Sequence, residues 1–213
     1  MNMWKLAWRN VWSKPWALLL SVILFALGIG LISFLFLLNE QMKEKFDNNL
    51  AGIDMVVGAK GSPLQLILSS MYHVDNPTGN ISIKEAKPFL NPKHPLIKRS
   101  VPLSLGDNYQ SYRIVGTNYS ILELYGAEIS KGELWKREME ATIGSDVAEQ
   151  TGLRIGDSFS SSHGFNIDEN LVHGDTGLKV VGILKESRTV LDQLILTNSS
   201  TVWAVHEHGE EHE

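Results

Sequence analysis

Residues Trp16–Leu38 read WALLLSVILFALGIGLISFLFLL, and this stretch decides the fold because its 23 residues include no charged side chain. A helix rises about 1.5 Å per residue, so the stretch would reach roughly 34 Å, enough to cross a hydrocarbon core of about 30 Å. We therefore predict that residues 16–38 form a transmembrane helix, and we interpret the remaining sequence by its position before or after it.

A cleaved signal peptide and a buried core helix both fit the apolar stretch less well. A signal peptide has an apolar region of about 7–15 residues followed by a small-x-small cleavage site. The stretch is longer than that, and the sequence that follows it, LLNEQ at residues 37–41, offers no such site. A core helix that is apolar on every face would need a much larger protein around it.

The composition limits the classes of protein that come into question. The chain has 213 residues and a formal net charge of −5. Beyond the apolar stretch there is room for one domain of about 160–175 residues, a usual size for a single domain. The mild acidity argues against nucleic acid as a partner. The sequence has no cysteine, which excludes disulfide bridges and thiolate metal sites.

The leader before the apolar stretch predicts an amphipathic helix over residues 1–15 that lies on the membrane surface. Trp4, Trp8 and Trp12 recur every fourth residue and therefore share one helical face, with Lys5 and Arg9 at its edge. Tryptophan favours the headgroup level of a bilayer, and basic side chains favour an anionic leaflet. Membrane lipid is thus an expected partner.

Basic residues near a transmembrane helix predict its orientation, because cytoplasmic flanks are enriched in lysine and arginine. The leader carries three basic residues and no acidic one, whereas the two lysines beyond the helix lie among three acidic residues. We therefore expect a cytoplasmic N-terminus and an extracytoplasmic domain. The residues counted are Lys5, Arg9 and Lys14 on one side, and Glu40, Lys43, Glu44, Lys45 and Asp47 on the other.

Residues 39–50 keep a helical pattern after the apolar stretch ends. Met42, Phe46 and Leu50 recur every fourth residue, with glutamate and lysine between them. We interpret this segment as a stalk helix continuous with the transmembrane helix.

Residues 51–205 show short β-rich runs that alternate with short helical patterns, which predicts an α+β (mixed α/β) domain with a mixed sheet. One predicted helix begins at Ser62-Pro63, a favourable cap and first turn, and would bury Leu64, Ile67 and Leu68. Predicted strands are Ile53–Val57, Ile81–Ile83, Ile97–Leu105, Tyr109–Thr117, Ala141–Ile143, Ser158–Ser161, Leu178–Glu186 and Leu194–Thr197. Predicted helices are Pro63–Met71, Lys84–Leu90, Ser120–Tyr125, Ser145–Thr151 and Ser199–Val205.

Some local details of the domain are also predicted. Gly106-Asp107-Asn108 would form the loop of a hairpin between Ile97–Leu105 and Tyr109–Thr117. Ser145 would cap the helix that ends at Gly152.

Histidines interleaved with carboxylates suggest a zinc, copper or nickel site. Two lie in the Gly/Asn/His/Asp-rich run of residues 162–177, and three lie in the His/Glu-rich tail of residues 206–213. A solvated acidic tail explains the same residues without a metal. The five are His163, His173, His206, His208 and His212.

No catalytic motif with usable spacing is present. Gly58-Ala59-Lys60-Gly61-Ser62 has the residues of a phosphate loop, but the lysine precedes the second glycine instead of following it. Ser162-His163 lacks a G-x-S-x-G nucleophile elbow. We expect neither an enzyme nor a bound cofactor.

The order of these features resembles ABC-transporter permeases of the MacB/FtsX/LolC-E type. The leader and apolar stretch, KLAWRNVWSKPWALLLSVILFALGIGLISFL, look like the start of such permeases. The later runs ATIGSDVAEQTGLRIGDSF and KVVGILKESRTVLDQLILTNSSTVW resemble the end of the MacB-like periplasmic core domain. The segment DMVVGAKGSPLQLILSSMYHVDNPTGNIS is similar to one branch of these permeases, and its family-like residues are Gly58, Gly61, Ser62, Pro63, His73, Pro77, Thr78 and Gly79.

The resemblance implies a permease subunit in a bacterial inner membrane, with ATP hydrolysis in a separate ABC ATPase subunit and a second permease chain beside it. Its function would be to transmit ATP-driven motion to the extracytoplasmic domain of an exporter or a lipoprotein-releasing system. Such permeases carry four transmembrane helices and this chain shows one, so we expect a fragment. The alternative is a membrane-anchored module that senses or binds a ligand or a metal.

Overall fold

The computed structural model of the chain describes residues 3–50, 52–91, 93–161 and 177–210, and for helical residues 6, 7, 10, 11 and 206–210 it describes the backbone alone. The chain divides into two compact units, Met1–Phe46 and Asp47–Glu213.

The first unit is helical. Helix α1 (Met3–Ser13) is followed by helix α2 (Pro15–Leu50), which has 36 residues and extends four residues into the second unit. By length and composition, α2 is the one helix of the described chain that could cross a membrane. The residues predicted as transmembrane helix and stalk form a single uninterrupted helix. Where the apolar part ends and the stalk begins therefore stays a prediction.

The second unit is built on a mixed seven-stranded sheet with the order β1-β2-β7-β4-β6-β3, in which β5 also pairs with β6. The pairs β2–β7 and β4–β6 are parallel, and the other pairs are antiparallel. This arrangement confirms the predicted α+β domain. The strands are β1 (Ser104–Tyr109), β2 (Tyr112–Thr117), β3 (Ile129–Gly132), β4 (Glu140–Ile143), β5 (Ser158–Phe159), β6 (Leu178–Leu184) and β7 (Leu194–Asn198).

Helices cover both faces of the sheet because the central strands carry apolar side chains on both faces. In β2, Ile114 belongs to one buried cluster and its neighbour Val115 belongs to the other, as expected when successive side chains point to opposite faces. Helices α6 (Ser145–Thr151) and α7 (Ser199–Glu210) pack in the first cluster. Helix α5 (Ser120–Tyr125) and a 3₁₀ turn at Val190–Gln193 pack in the second.

The hairpin of β1 and β2 exists, but its turn was predicted at the wrong place. Gly106 to Asn108 lie inside β1, and the chain reverses at Gln110-Ser111, where Gln110 has a φ of 53°. The pairing is irregular between Leu105 and Asn108, where β1 has one residue more than the facing part of β2. Two-residue hairpin turns match the twist of the strands, so the shorter loop forms although it lacks glycine.

Two predicted strands are absent. Ile53–Val57 has no regular secondary structure and pairs with no described strand, because β-branched residues favour a strand only where a neighbour offers hydrogen bonds and packing. Ile81–Ile83 is interrupted by Ser82, which forms a capping box with Glu85 and starts the short helix α4 (Ile83–Ala86).

One predicted cap is also wrong. The residue that caps α6 is Gly144, not Ser145, and the Ser145 hydroxyl is buried without a hydrogen-bond partner among the described residues. A Cβ at residue 144 would lie 2.3 Å from the carbonyl oxygens of Leu191 and Asp192. The glycine is therefore required at the place where the helix begins. Gly152 ends α6 in the left-handed conformation, as predicted.

Candidate functional site at the end of the long helix

Residues 58–79, which we call the loop module, bring most of the family-like residues together around helix α3 (Pro63–Met71). Ser62 caps α3, as predicted, and accepts a hydrogen bond from the Gln65 amide at 3.4 Å. The Gln65 side chain in turn donates to the carbonyl oxygen of Asn76 at 3.1 Å. The start of the helix is thereby connected to the loop that follows it.

Gly61 and Thr78 make the tightest contact in the loop module. A Cβ on Gly61 would lie 2.6 Å from both Cβ and Cγ2 of Thr78, so only glycine fits. The Thr78 hydroxyl donates to the carbonyl oxygen of Ala59 at 3.1 Å. The glycine run and the turn-forming run after α3, which are separate in the sequence, thus form one packed loop pair.

Helix α3 is rotated relative to the prediction. Leu64 and Ile67, predicted to be buried, are 65% and 41% exposed, and Leu68 is half-buried. The reason lies at Gly58, where a Cβ would meet the Leu66 side chain at 2.3 Å. Leu66 occupies the space over this glycine, and the inward face of the helix turns accordingly, so that Ser69 and Met71 become buried.

His73 lies at the centre of the second half of the loop module. It is 6% exposed and has a φ of 53°, a left-handed conformation that lets the chain reverse while the Val74 amide donates to Leu68. Its Nδ1 atom is buried and has no hydrogen-bond partner among the described residues. Burial lowers the pKa of His73 to about 4, and the positive charge of Arg113 acts in the same direction.

Arg113 connects the loop module to the sheet. It lies on β2, and its guanidinium donates to the carbonyl oxygen of Asp75 at 3.3 Å and to Oδ1 of Asn76 at 3.1 Å. A guanidinium offers several donors in a fixed planar arrangement, which suits two acceptors on one loop. One side chain of β2 thus links the loop module to the sheet through two hydrogen bonds.

The last turn of α2 belongs to the second unit and is partly buried there. Asn49 is 7% exposed, and its carbonyl oxygen accepts a hydrogen bond from the Tyr125 hydroxyl at 3.5 Å. Burial, and next to it the nearby Tyr72, raise the pKa of Tyr125 to about 12, so this phenol stays protonated. The end of α2, helix α5 and the loop module meet at Asn49, Tyr125 and Tyr72, and we call these three residues the junction.

Sequence reasoning did not single out the junction or Arg113. Asn49 reads as an ordinary polar residue near a helix end, and Tyr125 and Arg113 find their partners 76 and 37 to 38 residues away along the chain.

Of the predicted stalk residues, Met42 and Phe46 are 71% and 53% exposed, and Leu50 is half-buried.

The predicted surface helix is a helix in the structure, and its tryptophans are exposed. Trp4, Trp8 and Trp12 expose between 68% and 87% of their surface, and Lys5 and Arg9 are also exposed. Large aromatic side chains in water are unusual for a soluble protein. Their contact with a membrane stays a prediction.

The structure does not describe the side chains of the predicted metal ligands. His163, His173 and His212 lie outside the described residues, and for His206 and His208 only the helical backbone is described. Elsewhere in the described chain, no group of three or more histidine, aspartate or glutamate side chains could hold a metal ion. The metal site stays a prediction.

The family of the chain follows from comparison with known proteins. The family model of the MacB-like periplasmic core domain matches residues 18–211. A solved domain of a proposed permease protein from Porphyromonas gingivalis aligns with 46% of this chain and 41% of its own length, at 13% identity and a TM-score of 0.30. No curated protein matches. Because the family model covers most of the sequence, the chain belongs to the MacB-like periplasmic core domain family of ABC-transporter permeases.

Proposed function

We propose that the chain is a permease component of an ABC-type exporter or lipoprotein-releasing system, and that it transmits ATP-driven motion to an extracytoplasmic domain. The observation that supports this most directly is helix α2. It runs without a break from the predicted membrane segment to Asn49, which is buried in the second unit. A 36-residue helix is about 54 Å long.

A mechanical role requires stiffness along the helix and attachment at its end. Helix α2 has no proline after Pro15, and its glycines, Gly28 and Gly30, lie in the predicted membrane segment. Residues 39 to 50 contain neither glycine nor proline, the two residues that most strongly disfavour a helix interior. The junction supplies the attachment through Tyr125, which lies on a helix packed against the sheet.

The partners that we propose are a separate ABC ATPase subunit and a second permease chain. The described residues contain no nucleotide-binding motif of the Walker type. We propose a bacterial inner membrane as the location, with the N-terminus in the cytoplasm and the second unit outside it.

Purification of the complete permease with its ATPase subunit tests this assignment. We expect the isolated chain to hydrolyse no ATP and the assembled complex to hydrolyse it. ATP hydrolysis by the isolated chain, or failure of any ATPase subunit to purify with the full-length permease, would contradict the proposal.

A further inference from the structure

Residues 80–99, which we call the basic segment, are rich in basic residues. They contain five of the 19 basic residues and one of the 24 acidic residues. The acidic residue, Glu85, is engaged in the capping box with Ser82. The basic segment is thus distinctly cationic, as is the leader before the apolar stretch, in a chain with a net charge of −5.

Most basic side chains of the basic segment form no ion pair with the residues that the structure describes. Arg99 forms an ion pair with Glu123 at 3.4 Å. The four lysines are exposed and form no ion pair with any residue that the structure describes. These lysines are Lys84, Lys87, Lys93 and Lys98.

Apolar side chains are exposed between these lysines. Ile83 is 62% exposed and Leu96 is 88% exposed, while Phe89 and Leu90 are close to 40%. No described residue from 80 to 99 is buried, so these side chains do not contribute to the core of the domain. A solvated charged surface accounts for the lysines but not for the aliphatic and aromatic side chains beside them.

The segment nevertheless has a defined local structure. Its backbone is organised by helix α4, by hydrogen bonds from Phe89 and Leu90 to Ala86, and by the Leu96 amide, which donates to the His94 imidazole at 3.2 Å. The lysines and apolar side chains are therefore presented by an ordered surface.

From these observations we infer that the basic segment docks on the anionic surface of a phospholipid bilayer. Lysines with interspersed apolar side chains are typical of such surfaces, where the charges attract anionic headgroups and the apolar groups enter the interface. Protein interfaces, in contrast, are depleted in lysine and enriched in arginine, and here the single arginine is already paired. This inference does not depend on the transport role.

The same chain carries the predicted transmembrane helix, which would tether the basic segment to a bilayer. Tethering makes docking an intramolecular event with a high effective concentration. Each lysine near an anionic bilayer contributes about a fivefold increase in partitioning. A surface with four lysines can therefore dock without a deep binding site, and it will respond strongly to lipid charge and to salt.

The absence of cysteine allows a direct test with the full chain in lipid nanodiscs. In the Leu96→Cys variant, the new cysteine is labelled with an environment-sensitive fluorophore. Lipids with spin-labelled headgroups serve as quenchers. With about one third phosphatidylglycerol in the disc, we expect blue-shifted emission and strong quenching. Both effects should be weak in pure phosphatidylcholine or at high salt. The same fluorophore at Ile155→Cys, another exposed apolar position, controls for general proximity to the disc.

Variants with fewer lysines test whether the charge of the basic segment causes the docking. Replacement of Lys84, Lys87, Lys93 and Lys98 by glutamine should reduce the quenched fraction at least fivefold. The same change at Lys131, Lys136, Lys179 and Lys185, which alters the net charge equally, should leave it unchanged. Emission that does not depend on lipid charge, or an equal loss of quenching in both variants, would overturn the proposal. A shift produced by polyglutamate in neutral discs, but not by anionic lipid, would overturn it in favour of an acidic protein partner.

Discussion

The hydroxyl of Tyr125 donates a hydrogen bond of 3.5 Å to the carbonyl oxygen of Asn49, in the last turn of a helix that begins 34 residues earlier. This contact joins the end of α2 to α5, which packs through Ile121 and Leu122 in one of the two apolar clusters. The junction thus connects the last turn of α2 to a helix that packs in the core of the domain.

Replacement of Tyr125 by phenylalanine removes the hydroxyl and keeps the ring. Because the hydrogen bond is long, we expect the free energy of unfolding to fall by only about 0.5–1 kcal/mol. We expect a larger effect on export per ATP hydrolysed in the assembled transporter. Tyr109→Phe, on strand β1 of the same domain, is the matched control. Equal effects of both variants on export would show that the junction has no special role.

The stability of the domain should depend on the protonation of His73. Its pKa is about 4 in the folded protein and about 6.5 when unfolded, so the unfolded state binds more protons between these values. The free energy of unfolding therefore falls as the pH is lowered from about 6.5 towards 4, by about 3 kcal/mol in total. Above a pH of about 6.5, the contribution of His73 no longer changes with pH.

Tryptophan fluorescence during denaturant unfolding measures this dependence, since Trp135 is buried in the domain. His73→Asn removes the titrating group and suits the positive φ at this position. We expect a flatter pH profile for this variant than for the natural chain. An equally steep profile in His73→Asn would refute the assignment.

Two glycines of the loop module should respond differently to alanine. At Gly61, the new Cβ meets the Cβ of Thr78, which cannot rotate away, so we expect a loss of about 1–3 kcal/mol in the free energy of unfolding. At Gly58, the new Cβ meets a terminal methyl of Leu66, which can adopt another rotamer. We therefore expect a smaller loss from Gly58→Ala, and the reverse order would contradict the packing described.

Arg113→Met should loosen the loop module from the sheet without disturbing the sheet itself. The variant loses the hydrogen bonds to Asp75 and Asn76 while it keeps an apolar side chain of similar length. We expect amide hydrogen exchange in residues 58–79 to accelerate about tenfold, which corresponds to about 1.4 kcal/mol. Arg99→Met, which removes an exposed ion pair, should have little effect. Uniform acceleration across the sheet would mean that Arg113 stabilises the whole fold.

The sequence predicts those parts of the fold that depend on local signals. Ser62-Pro63 specifies the start of α3, and Gly152 specifies the end of α6, because each acts on backbone groups a few residues away. The apolar stretch predicts a long helix by composition alone. These features require no knowledge of tertiary contacts.

What could not be predicted depends on distant contacts. The rotation of α3 follows from the space above Gly58, and the hairpin turn follows from the pairing of β1 with β2. The junction combines Asn49, Tyr72 and Tyr125, which no periodic pattern relates to one another. Most residues of the family-like loop were identified by resemblance, but their packing around Gly61 and Thr78 is visible only in three dimensions.

We propose above all that α2 works as a stiff connection between the membrane and the domain. Insertion of two glycines after Met42 in the full-length permease tests it most directly, with insertion of two alanines as the control that preserves helix propensity. The quantity to measure is export per ATP hydrolysed by the reconstituted transporter. We predict that the glycine variant continues to hydrolyse ATP but loses export, and that the alanine variant exports better than the glycine variant. Unchanged export with the glycine insertion would contradict the claim.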